Sequence, residues 1–285
     1  MNRIILSALA VSAFTVPALA EPQTVTLCTG AKEGVYAAAG ETIANFAGSD
    51  ITIQVVYTDG TFDNMSRLLA ADGCDAMIGQ PDGPVYLKRT KPSDAARISR
   101  VMKLHREYLQ VLCSKESGID DLSDLKETDT VAIGPPGSGS WLIWQNFIEQ
   151  DDFYTKIKTT TDAKLIALTS VASNETQCMV VPSGVPNGVV SEADANFGDS
   201  VEFVSATDKD FNDAEDIDGK ALYEFVKVPT KMYPVTFNRY WSAPKSVSWN
   251  ASLYVNKAKM TADKLNSLLK AATRARSTIL ANYGQ

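Results

Sequence analysis

The sequence has few of the side chains on which metal and acid–base chemistry depend. Its 285 residues include 1 histidine and 4 cysteines, and no Cys-x-x-Cys pair occurs. Structural and catalytic zinc sites are built from clustered cysteine, histidine and carboxylate ligands. We therefore expect no metal and no cofactor. The one histidine, His105, stands in an extended segment, and we expect it at the surface or at a hinge.

Complete catalytic motifs are also missing. No Gly-x-Ser-x-Gly nucleophile turn occurs. Gly134 and Gly139 have the glycine spacing of a nucleotide-binding P-loop. However, Ser140 and Trp141 stand where that motif requires lysine and then serine or threonine. These absences favour a binding protein over an enzyme, and a periplasmic enzyme remains as an alternative.

Positive charge and long apolar runs are scarce as well. The chain has 27 Lys and Arg against 34 Asp and Glu, a formal net charge of -7. A nucleic-acid binder normally presents a basic face to the phosphates, so we expect no nucleic-acid partner. After the first twenty residues no apolar run approaches the roughly 20 residues that a spanning helix needs.

The first twenty residues are typical of a secretory signal. A cationic start at Arg3 is followed by an apolar run and by the small-residue triplet Ala18, Leu19, Ala20. This pattern predicts cleavage after Ala20 and export to the periplasm. That compartment permits disulfides, and four cysteines allow three pairings.

Beyond the signal, short strands alternate with helices in two rounds. Such βα alternation predicts an α/β fold, with two mostly parallel sheets flanked by helices. We assign residues 21–114 plus 247–285 to a first lobe and 115–246 to a second. Two crossovers between the lobes predict a two-strand hinge and a central ligand cleft.

The predicted strand in which each cysteine lies assigns it to a lobe. Cys28, Cys74 and Cys113 fall in the first lobe, and Cys178 opens a strand of the second. A covalent tie across the cleft would oppose lobe closure. We therefore expect Cys178 to be unbridged and at most one disulfide to form among the other three.

A glycine-rich segment, the serine loop (Gly134–Ser140), joins an apolar strand to a helix. Glycines let backbone N–H groups face a ligand, and a helix start adds unpaired donors and the positive end of its dipole. We expect a small organic anion here, held by Ser138, Gly139 and Ser140. Lys32 or Thr29 would close from the opposite lobe.

Three further loops follow predicted strands. The first contains Thr29, Gly30, Lys32 and Tyr36. The second contains the polar residues Thr61 and Asn64, and the third contains Gln80 and Asp82. Open α/β sheets bind ligands outside the carboxyl ends of their strands, so these loops are expected at one edge with the serine loop.

Together these loops resemble the TAXI family of extracytoplasmic receptors for TRAP transporters. The matching residues are Thr29, Gly30, Gly34, Val35 and Tyr36, then Thr61 and Asn64, Gln80 and Asp82, Gly134 to Gly139, and finally Gly184 and Pro186. The chain departs from the usual pattern at Lys32 and Trp141.

The resemblance implies a type II periplasmic-binding-protein fold and a ligand-binding role for the matching residues. It also implies that a monomeric receptor delivers a dicarboxylate, a 2-oxo acid or a glutamate-like anion to the membrane subunits of a TRAP transporter. An ABC-linked receptor for a phosphate-like or sulfonate anion is the alternative of the same class.

Overall fold

The computed structural model describes residues 22–238 and 242–283. The predicted signal sequence, residues 1–20, lies outside the described residues. No helix among those described is long and apolar enough to cross a membrane.

The described residues alternate between strands and helices as the sequence predicts. The strands are β1 (Gln23–Cys28), β2 (Ile51–Val56), β3 (Ala76–Gly79), β4 (Ile98–Ser114), β5 (Thr130–Ala132), β6 (Lys158–Thr160), β7 (Cys178–Ser183), β8 (Val201–Val204), β9 (Glu224–Lys227) and β10 (Lys245–Asn256). The helices are α1 (Val35–Asn45), α2 (Thr61–Leu69), α3 (Asp82–Thr90), α4 (Pro92–Ala95), α5 (Gly139–Gln150), α6 (Lys164–Ala172), α7 (Gly188–Asn196) and α8 (Ala262–Tyr283).

All ten strands belong to one hydrogen-bonded sheet, where two sheets were expected. The order is β2-β1-β3-β10-β4-β7-β5-β6, with β8 on β4 and β9 on β10. The sheet is continuous because β4 and β10 pair with each other and each also pairs with strands on its other edge. The outer pairs are parallel and those of β4 and β10 are antiparallel, so the sheet is mixed.

The crossing strands, β4 and β10, separate two sides of the sheet. The first side holds β1 to β3 with α1 to α4 and α8, and the second holds β5 to β8 with α5 to α7. Each side has its own apolar core. Leu27, Ile43 and Leu268 are buried in the first, whereas Trp144 and Phe147 are buried in the second.

The strand β4 extends over both sides of the sheet. The sequence alone does not show how far this strand extends, and residues 98–114 form one strand because partners are available along its whole length. Residues 98–108 pair with β10, and residues 108–113 pair with β7. The chain therefore joins the second side from Tyr108 onward, before the expected lobe boundary at residue 114.

Two disulfides link the four cysteines, Cys28 to Cys74 and Cys113 to Cys178. The prediction that Cys178 is unbridged is wrong. Cys113 lies on the part of β4 that pairs with β7, directly opposite Cys178. Both cysteines are therefore on the second side, and their bridge does not cross to the first.

We predict that removing the second bridge lowers stability without changing the pairing of the first. Cys113→Ser with Cys178→Ser opens a loop with a sequence separation of 65. The free energy of unfolding should fall by about 2–4 kcal/mol in denaturant titrations. Peptide mapping of the unreduced wild type should recover the two stated pairs. A peptide linking Cys28 to Cys178 would contradict the account.

Candidate functional site

A central cavity of about 290 Å³ lies between the two sides of the sheet. Loops that follow β1, β2 and β3 line it from the first side, and the end of β7 with the starts of α5 and α7 lines it from the second. The loops meet here because the carboxyl ends of the parallel strands share one edge. The cavity is therefore the meeting place that the loop positions predict.

Four helices begin at this cavity. Gly34 precedes α1, Gly60 precedes α2, Gly139 begins α5 and Gly188 begins α7, and all four glycines line the cavity. The first N–H groups of α1 and α2 receive no side-chain cap. Helix starts carry unpaired donors and positive partial charge, so an anionic group is stabilised at this place.

Geometry favours glycine at two of these positions. Gly60 has a φ of 110°, which favours glycine. A Cβ at Gly139 would stand 2.7 Å from the Gln80 side-chain oxygen. Gln80 Nε2 donates to the Gly139 carbonyl at 3.1 Å. The two sides thus approach each other closely at the start of α5.

A buried carboxylate, Glu107 of β4, also lines the cavity. Its Oε2 accepts hydrogen bonds from Tyr36 OH at 2.8 Å and from Trp249 Nε1 at 2.9 Å. Burial, followed by the nearby Glu107 charge, raises the pKa of Tyr36 well above its ordinary value. The phenol therefore stays protonated and donates to the carboxylate.

Sequence reasoning did not find Glu107. It stands in the part of β4 where charged and apolar residues are mixed, with Arg106 before it and Tyr108 after it. Nothing local says which face of that strand borders a cavity, because that depends on the non-local partners of β4. Its charge in a buried strand is the one signal that could have drawn attention to it, since buried carboxylates are rare.

His105, on the same face of β4, was expected at the surface or at a hinge. It is fully buried on the crossing strand, between the rings of Tyr36 and Tyr283. Neither ring nitrogen has a hydrogen-bond partner among the described residues. Among all the described residues, no group of three or more histidine, cysteine or acidic residues could hold a metal ion.

Seven of the predicted site residues line the central cavity. They are Gly30, Tyr36, Thr61, Gln80, Gly139, Gly184 and Pro186. Thr61 also accepts a hydrogen bond at Oγ1 from the Gln80 backbone N–H at 3.1 Å. The structure thus brings together residues from five separate loops of the predicted site.

Thr29 and Asn64 are buried beneath the cavity and do not line it. Asn64 Nδ2 donates to the carbonyls of Thr29 and Ile78, the latter at 2.8 Å. Thr29 Oγ1 donates to the Val56 carbonyl at 3.1 Å. Both side chains therefore fix the loops after β1, β2 and β3 relative to one another.

The serine hydroxyls are directed away from the central cavity. Ser138 caps α5 by accepting from Trp141 N–H at 3.2 Å, and Ser140 Oγ donates to the Val180 carbonyl at 2.8 Å. Both line a second cavity of about 340 Å³ on the second side, here the serine-loop cavity, together with Lys164 and Asn187.

Lys32 is exposed and is not among the residues that line the central cavity. The turn between β1 and α1 therefore reaches the cavity through its backbone and through Tyr36. The exposed Glu33 of the same turn does line it.

Asp82 joins the two sides instead of lining the central cavity. It is fully buried at the start of α3, and its Oδ1 accepts hydrogen bonds from Asn146 Nδ2 at 2.9 Å and from Tyr223 OH. Arg89, at the other end of α3, donates to Asn146 Oδ1 at 2.7 Å. The helix α3, which the sequence did not predict, thus attaches the first side to α5.

Solved structures with the same architecture define the fold. A periplasmic aliphatic sulphonate binding protein from Escherichia coli is 13% identical with a TM-score of 0.55, covering 92% of this chain and 74% of that one. An ancestral arginine-binding protein bound to arginine is 14% identical with a TM-score of 0.56, covering 93% and 100%. A protein from Bordetella bronchiseptica RB50 is 16% identical with a TM-score of 0.54, covering 92% and 76%. The fold is thus the α/β periplasmic-binding-protein type II fold, as predicted.

Within that fold the chain belongs to the NMT1-like family, whose model matches residues 27–238. No curated protein is significantly similar to the sequence. The family match does not extend to the TAXI family or to a TRAP transporter.

We predict a pH dependence of stability from Asp82, whose pKa burial raises to about 6. Between about pH 4 and 6 the folded chain holds a proton that the unfolded chain has released. The free energy of unfolding should therefore fall as pH rises through this range, by up to about 3 kcal/mol, and this contribution should level off above pH 6.

Asp82→Asn tests this in denaturant titrations from pH 4 to 8. The amide oxygen can still accept from Asn146 and Tyr223, while the group no longer titrates. The variant should lose this part of the pH dependence. An unchanged pH profile would contradict the assignment.

Proposed function

We propose that this chain is an extracytoplasmic solute-binding receptor that captures a small organic anion in the central cavity. The observation that carries the proposal is the convergence of four helix starts, from both sides of the sheet, on one cavity of about 290 Å³. Pockets for drug-sized ligands span roughly 300–1,000 Å³, so the space suits a small solute.

The physical argument concerns the charge of the solute. A carboxylate or sulfonate that enters a closed cavity loses water and must find several donors there. Helix starts supply donors and positive partial charge on rigid backbone. The N–H groups at the beginnings of α1 and α2, which no side chain caps, support a site of this kind.

Binding is proposed to couple to movement of the two sides of the sheet as lobes, with the crossing strands β4 and β10 as the hinge between them. The contacts of Gln80 with Gly139 and of Asp82 with Asn146 would hold the closed form. Hinge closure around a ligand is an established mode of domain motion. The contacts therefore give closure a defined set of polar interactions to make and break.

Export and delivery are part of the same proposal. The signal-like first twenty residues and the two disulfides support an oxidising compartment such as the periplasm. The TAXI-like loops support delivery to a TRAP transporter. A neighbouring gene for a large multispanning permease would agree with this, and a neighbouring ATPase gene would favour an ABC transporter.

A thermal-stability screen of small carboxylates and sulfonates tests the proposal. An acid present at about 100 times its Kd should add roughly 2.7 kcal/mol of stability. The acid should be recovered chemically unchanged. If no acid stabilises the chain and a hydrolysable substrate is consumed instead, the receptor proposal fails and an enzyme is favoured.

The location of binding is tested with Trp141 in the same titrations. Its ring lies 5.2 Å from Tyr86 and 6.4 Å from Phe62, both on the first side. Closure should therefore change its fluorescence, and Trp141→Phe should lose most of the ligand-dependent signal. Trp144→Phe, at a tryptophan buried in the second-side core, is the matched control and should retain it.

A further inference from the structure

One carboxylate oxygen of Glu107 accepts hydrogen bonds from the protein, and the other does not. Oε2 accepts from Tyr36 and Trp249, whereas Oε1 accepts no hydrogen bond among the described residues. His105 Nε2 lies 3.8 Å from Oε1, which is too long for a hydrogen bond. Glu107 is buried and lines the central cavity, and from this we infer that Oε1 is the oxygen left for a bound solute.

Among the described residues no lysine or arginine forms an ion pair with Glu107, and His105 is the one basic side chain within 4 Å of its carboxylate. The described residues that line the cavity include Glu33 and Glu107 and no lysine or arginine. The neighbouring Arg106 is paired with Glu224 and with Ser248. A buried carboxylate without a partner is costly, and a cation placed next to it recovers part of that cost.

A second negative charge on the ligand would be repelled by the acidic side chains of the cavity. A dicarboxylate could place one carboxylate at the helix starts, but its other carboxylate would share the cavity with Glu107 and Glu33. Like charges in a poorly solvated space repel strongly. The cavity thus combines donors suited to one anionic group with an acceptor suited to one protonated nitrogen.

We propose that Glu107 binds a protonated amine of the solute, so that the ligand is a small zwitterion and not a dicarboxylate or a 2-oxo acid. This inference rests on the proposed function, because it assigns the solute of the same cavity. Glu107 is then the residue that determines specificity, while the helix starts hold the acidic group.

Matched pairs of solutes test the inference on the wild-type chain by calorimetric titration. The pairs are L-glutamate with glutarate, L-alanine with propionate, and taurine with isethionate, whose members differ at the amine. The member with the amine should bind about tenfold to a hundredfold more tightly in any pair that binds, as expected for one charge-assisted hydrogen bond.

The outcomes separate this inference from the function on which it rests. If acids bind and the amine gives no advantage, the inference is overturned and the receptor stands. If no carboxylate or sulfonate binds, with or without an amine, both are overturned. Because this comparison uses the wild-type chain, it does not depend on whether a variant folds.

The variant Glu107→Gln tests the residue itself. Its amide oxygen can keep the bonds from Tyr36 and Trp249, and its amide nitrogen then replaces Oε1 with a donor. The preference for the amine should fall at least tenfold. Glu33→Gln removes an exposed charge from the same cavity and should change the preference by less than about twofold. Equal effects of the two variants would contradict a specific role for Glu107.

Discussion

The antiparallel pairing of β4 with β10 is the constraint on which the rest of the structure depends. β3 attaches to the other edge of β10 and β7 attaches to β4, so the two crossing strands fix the distance between the two sides. The loops that end β1, β2, β3 and β7 then reach one place. β4 also carries Glu107 to the same cavity, so the pairing sets both the shape and the charge of the site.

The cavity combines two electrostatic elements of opposite sign, the helix starts and the carboxylate of Glu107. Helix starts give positive partial charge without a counter-ion that needs solvation, while Glu107 gives a full negative charge with one free oxygen. Around them, polar contacts such as those of Asp82 and Gln80 join the two sides. In the proposed closure these contacts would link binding to pH, because Asp82 accepts hydrogen bonds from Asn146 of α5 and from Tyr223.

The sequence predicts the features that depend on neighbouring residues and does not predict those that depend on which strands pair. The alternation of strands and helices and the glycine turns follow from neighbouring residues, and the structure has them. The single strand β4, the partner of Cys178 and the position of Glu107 depend on which strands lie beside β4. The hydroxyls of Ser138 and Ser140 are explained by backbone groups that they bind within the second side.

We propose that the solute binds where the four helix starts meet. A crystal structure of the chain with the acid that stabilises it most would test this directly. The account predicts the acidic group within hydrogen-bond distance of the backbone N–H groups that begin α1, α2, α5 or α7, and the solute in contact with Glu107. Finding the solute only in the serine-loop cavity beside Lys164 would contradict it.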